Sequence, residues 1–168
     1  MRKTVIALSI AGLAFATAAQ AEMAQTPPPA AAPTYGQPGV NLEQATKAVE
    51  AAVAEAKKNG WRMAVTVVSN SGFLVHFSKM DGTAFASIGL SQDKARTAAM
   101  FQRPTKSFED RVTAGGAGLV VLSYPGAVAS GGGIPLVRDG KIIGAIGCSG
   151  AASAQDAQAC QAGADTIK

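Results

Sequence analysis

His76 is the only histidine in the chain, and Cys148 and Cys160 are its only cysteines. An imidazole ligates transition metals and carries protons near neutral pH. A thiol can bind metal, form a bridge or attack an electrophile. One histidine and two scattered cysteines cannot close a structural zinc site without carboxylate help. Other catalytic patterns fail as well. Ser91 and Lys94 have Ser-x-x-Lys spacing, but the companion Lys-Thr-Gly and Ser-Asp-Asn motifs are missing. The glycines at 131–133 lack the Lys-Ser/Thr of a phosphate-binding loop, and no Gly-x-Gly-x-x-Gly opens a helix after a strand. His76 sits between Val75 and Phe77 and on its own reads as readily as an ordinary strand side chain facing solvent. Met80 is near enough in sequence to share its surface, although methionine more commonly fills gaps in a core.

The elements that must position these residues centre on Gly131–Gly150, GGGIPLVRDGKIIGAIGCSG. Two apolar runs, Ile134–Val137 and Ile142–Ile146, flank Asp139-Gly140, a hairpin signal because the turn needs positive φ. The second run is apolar almost without alternation, which predicts a strand covered on both faces. This hairpin is expected at the centre of the sheet. Trp61–Ser69 and Phe73–Lys79 predict a second hairpin turned by Asn70-Ser71-Gly72. Asn41 and Gln44 form a capping pair for a helix with Leu42, Ala45, Val49, Ala52, Val53 and Ala56 on one face. A helix is expected over about 84–102, with Phe85, Ile88, Ala95, Ala98, Ala99 and Met100 buried, a break at Gly89 and Ser91 as a fresh cap. Thr105 caps a short helix, Leu119–Leu122 reads as a strand, and Ser153 caps the last helix, with Asp156 in its first turn. The order α-β-β-α-α-β-β-β-α has hairpins and no alternating βα repeat, so the fold class is α+β, an antiparallel sheet with flanking helices.

Apolar residues make up 48% and charged residues 15% of the 168, which fits one compact domain. Met1–Ala21 has a cationic start, an apolar run and an Ala19-Gln20-Ala21 cleavage site, and reads as a secretory signal peptide. No stable membrane insertion is expected after cleavage, because the apolar run is short for a span. A periplasmic or secreted location follows. Loss of Arg2 and Lys3 with the leader lowers the net charge from +4 to +2, too mild to imply nucleic acid. Residues 22–40, rich in Pro and Ala, read as a disordered linker before a domain at 41–168. Export permits a Cys148–Cys160 disulfide; two buried free thiols are the alternative.

Several segments together resemble the GlcG/HbpS family, which includes the C-terminal domain of PduO-type proteins. FLVHFSKMDGTAFASIGLSQDKARTAAMFQRPT resembles its hairpin, Met-Asp-Gly turn, Lys-Ala-x-Thr-Ala helix and Arg-Pro-Thr break. GGGIPLVRDGKIIGAIGCSGAASAQDAQACQAG resembles its Gly-Gly-x-Pro, Asp-Gly, Gly-x-Ser-Gly and Gln-Asp sequence. Asp81, Lys94, Arg103, Pro135 and Asp156 match these motifs. The resemblance implies a profilin-like antiparallel sheet of about five strands, a homo-oligomer (octamers occur in the family) and haem as cofactor. With haem implied, His76 is a natural axial ligand and the metal-binding candidate, and Met80 a neighbour. Tyr124 is an oxygen-ligand candidate, and Lys94 and Arg103 are partners for propionates, or else surface charge and helix-end capping. The implied function is that of an exported haem-binding protein that senses, carries or scavenges haem. The alternatives are an enzyme acting on haem or on a small organic acid or diol, and a non-catalytic oligomeric scaffold.

Overall fold

In the computed structural model of the chain, the structure describes residues 39–167. The leader and all but the last two residues of the linker lie outside the described residues. The elements are α1 (Leu42–Lys58), β1 (Ala64–Ser69), β2 (Leu74–Lys79), α2 (Ala86–Phe101), α3 (Lys106–Ala114), a 3₁₀ segment (Gly116–Ser123), β3 (Gly133–Arg138), β4 (Lys141–Ser149) and α4 (Ser153–Ala164). The strands form one antiparallel sheet in the order β2-β1-β4-β3.

The sheet is the middle of three layers. Met63 just before β1, Val65 and Val67 on β1, and Ile146 and Cys148 on β4 pack with Ala45, Val49, Ala52, Ala159 and Cys160 of α1 and α4. Val68 and Ala145 face the opposite way, onto Ala95, Ala98 and Ala99 of α2. Period-two alternation on the two inner strands thus supplies both cores. Where α2 crosses β4, the backbone of Ser91 and Ala95 occupies the space that a Cβ at Gly147 would need. The absent side chain is what lets the helix lie directly on the strand.

The capping box at the start of α1 forms as expected: Gln44 N donates to Asn41 Oδ1 at 2.8 Å, and Asn41 N to Gln44 Oε1 at 3.2 Å. The Asp139-Gly140 turn has φ of 51° and 71°, the paired positive values that a two-residue hairpin requires. Of that hairpin only β4 is interior; β3 is an edge strand.

Several expectations are corrected. The sheet has four strands rather than about five, because Leu119–Leu122 winds into the 3₁₀ segment. A four-residue apolar run carries no periodicity that separates strand from helix. Gly115 and Gly116, at φ 70° and 55°, turn the chain so that Leu119, Val120 and Leu122 are exposed. No break occurs at Gly89. Ser91 is buried inside α2, its Oγ donating to Ile88 O at 2.9 Å and standing 2.8 Å from Thr66 Oγ1 on β1. Its hydroxyl is used between layers, not at a cap. Phe85, Met100 and Leu42 are exposed rather than buried. Thr105 stands at the N-cap of α3 as expected, while the cap of α4 is Ala152 and not Ser153; both hydroxyls are used across elements. Gly133 N donates to Thr105 Oγ1 at 2.9 Å, and Ser153 Oγ donates to Glu109 Oε1 at 3.1 Å.

Candidate functional site

The edge strand β2 leaves a groove beside α1. Its two hollows share Val53, Lys57 and Ser78 and so run into one another. The first, about 390 Å³, is lined by Thr46, Val49, Glu50 and His76. The second, about 510 Å³, is lined by Trp61, Arg62, Lys79, Met80 and Asp81. Each hollow is of the size that takes a small organic ligand. Strand alternation puts His76 and Ser78 on the same side of β2, while Thr46, Val49, Val53 and Lys57 follow one face of α1. After α1, the amide of Trp61 donates back to Ala56 O at 2.9 Å, which seats the indole at the groove's far end.

His76 is half-buried, and its Nδ1 lies 3.4 Å from Thr46 Oγ1. When Nδ1–H donates to that hydroxyl, Nε2 keeps its lone pair for a metal, and the threonine orients the ring. Beyond the Asp81-Gly82 turn the buried hydroxyl of Thr83 has no hydrogen-bond partner.

The groove is electrically lopsided. Around His76 the ionic side chains are Glu50 and Lys57, one of each sign. Around Trp61 they are Lys57, Arg62 and Lys79 against Asp81 alone.

The structure places the other sequence candidates elsewhere. Lys94 is fully buried, and its Nζ donates to Asp156 Oδ2 at 2.7 Å, so its ammonium does not reach the groove. Burial pushes the Asp156 carboxyl upward; Lys94 and the Ala151 and Gly150 amides pull it the other way without cancelling the rise. Arg103 lies 6.0 Å from the Phe108 ring, its Nε donating to Phe101 O at 3.1 Å. Tyr124 stacks on Phe101 with ring centroids 6.1 Å apart. Arg103 and Tyr124 therefore belong to one aromatic cluster, and His76 and Met80 to the groove. Cys148 and Cys160 are joined in a disulfide, Cα–Cα 5.7 Å, tying β4 to α4. Among the described residues no group of three or more His, Cys, Asp or Glu is placed to hold a metal ion.

Thr46, Lys57, Trp61 and Arg62 are groove residues that the sequence reading did not single out. Their signal was weak but present. Thr46, Val49, Val53 and Lys57 recur at helical spacing, and His76, Ser78 and Met80 at strand spacing. Only the packing of α1 beside β2 makes the two stripes face one groove.

Comparison with known proteins agrees with this architecture. The family described as "Haem degrading protein HbpS-like" matches residues 40–165. This chain belongs to the HbpS-like family. The Escherichia coli K12 protein GlcG is 41% identical over 110 residues, covering 66% of this chain and 81% of GlcG. Among solved structures, a double mutant of Streptomyces reticuli HbpS is 31% identical, with TM-score 0.71 over 83% of this chain and 99% of that one. The PduOC:haem complex is 29% identical, with TM-score 0.70 over 77% of this chain and 96% of that one. The HbpS-like fold is therefore an α+β antiparallel sheet covered by helices, and the similar PduOC structure is a complex with haem.

Proposed function

We propose that this HbpS-like chain binds haem in the α1–β2 groove, with His76 as iron ligand. One observation carries the reading. The only histidine of the chain lines a groove that also holds Trp61, Met80 and three cations. The residues present fit the group: an imidazole nitrogen for iron, a thioether and an indole for the macrocycle, and basic side chains for carboxylates. The PduOC:haem neighbour and the family description support the same ligand. Haem supplies redox and ligand-binding chemistry when bound. The chain's own part is to orient the imidazole through Thr46, cover one face of the ligand with Trp61, and neutralise its acid groups.

In this proposal the protein is exported by the leader Met1–Ala21 and acts in the periplasm or outside the cell. Among the described residues no helix is long and apolar enough to cross a membrane. The exposed Phe73, Phe85, Met100, Leu119, Val120 and Leu122 support assembly into a homo-oligomer, an octamer on the family resemblance. Haem sensing, carriage or scavenging is the role proposed. The family description favours one further reading, oxidative breakdown of haem.

Titration of the purified protein with hemin tests the site. A saturable Soret shift is expected, and His76→Ala should alter the band and weaken binding. Absence of saturable binding by the native protein would end the reading. Retention of an unchanged spectrum in His76→Ala would remove the histidine as ligand. Incubation of the loaded protein with reductant and oxygen separates binding from breakdown: loss of the Soret band with iron release is expected of a degrading enzyme alone.

A further inference from the structure

We infer that Lys57, Arg62 and Lys79 form a carboxylate-recognition end of the groove, which fixes the direction in which haem enters. The inference rests on the haem reading above and adds the orientation of the ligand. Among the described residues none of the three cations is in an ion pair; the bridges that form use Lys58, Lys94, Arg96 and Lys106. Lys79 instead stands 5.6 Å from the centroid of the exposed Phe85 ring, and its Nζ is 3.5 Å from Met80 O. Arg62 lies beside Gly82, where a Cβ would come 2.9 Å from its Nη1. Both cations are thus placed at the groove wall by neighbours that do not neutralise them. Asp81 is the single carboxylate at this end, whereas Glu50 lines the His76 end and Lys57 borders both. A planar ligand with acid groups on one edge and a metal at its centre would set that edge at Trp61 and Arg62, with the metal toward His76. A guanidinium and an ammonium at the mouth of a groove are the donors that hold such acids.

Trp61 is the only tryptophan of the chain and lines this end, so its quenching gives a saturable binding signal, and blocking the ligand's acids or removing Arg62 is what reports on this end. The experiment compares hemin with hemin dimethyl ester, whose acids are blocked, in native protein and in Arg62→Gln. Hemin should quench Trp61 saturably, and the ester should bind about tenfold more weakly. Arg62→Gln should weaken hemin about tenfold and leave the ester unchanged. Arg62 is exposed, so the variant is expected to fold, and its far-UV spectrum and melting temperature check this. Protoporphyrin IX, which keeps the acids and lacks iron, should still quench Trp61 in His76→Ala. Equal affinity for hemin and ester, or an Arg62→Gln loss that is the same for both, would overturn the inference while leaving haem binding intact. Absence of both Trp61 quenching and a Soret shift would overturn the haem reading and this inference with it.

Discussion

Lys94 Nζ and Asp156 Oδ2, 2.7 Å apart and shut away from solvent, join α2 on one face of the sheet to α4 on the other. The faces are opposite because Gly147 of β4 lies against α2 while its neighbour Cys148 bonds to Cys160 of α4. The ion pair closes the layers around the β3 edge, where no further strand does so.

Removing one partner should therefore be costly. Lys94→Met strands a buried carboxylate, and its cost is expected to be about 3–5 kcal/mol in urea unfolding. The double change Lys94→Met with Asp156→Leu should recover a large part of that loss, because no bare charge remains. A double variant no more stable than Lys94→Met would show that the pair's worth lies in its geometry and not in mutual neutralisation.

Glu109 should make stability depend on acid. The Gly131 amide, donating at 2.6 Å, holds its carboxyl below the usual 4.5, and Ser153 and Lys106 act in the same direction against burial. A carboxyl lowered in the folded state stabilises above its unfolded value, and that contribution is lost as pH falls through the folded value. The native protein should lose melting temperature from about pH 4.5 downward more steeply than Glu109→Gln. Parallel melting curves for the two proteins across pH 3–6 would exclude this role.

Two glycines should respond in opposite directions. Gly147→Ala pushes a methyl into the backbone of α2 and should destabilise by about 1–3 kcal/mol. Gly89→Ala, on an open part of the same helix, should stabilise by about 0.5–1 kcal/mol through helix propensity. Thermal unfolding of the pair provides the check.

The disulfide closes a short loop, with a sequence separation of 12, and both cysteines are fully buried. Replacing both by alanine should cost about 3 kcal/mol on the chain-entropy view. Because neither sulfur meets solvent, dithiothreitol should leave the bond intact until denaturant is added. Thiol labelling followed by mass spectrometry reads this directly, and rapid labelling of the native, reductant-treated protein would contradict it.

The sequence by itself determined the elements whose causes are local. The Asn41–Gln44 capping box, the Asp139-Gly140 turn and the doubly covered β4 all follow from residues within a few positions of one another, as do the α+β class and the family resemblance. Polar residues were misread wherever their partners are distant in sequence. Ser91 and Ser153 looked like caps, yet their hydroxyls meet Thr66 and Glu109; Thr105 does stand at the N-cap of α3, but its hydroxyl bonds Gly133 instead of the helix. Exposure of Phe85 and Met100 was hidden for a related reason, since an apolar side chain does not announce whether a neighbouring layer covers it. The tertiary structure decided which candidates share a site. It left His76 and Met80 in one groove with Trp61 and Arg62, and it used Lys94 to hold Asp156. Such groupings come from the packing of α1 beside β2 and of α2 and α4 across the sheet, and spacing along a chain carries no measure of those distances.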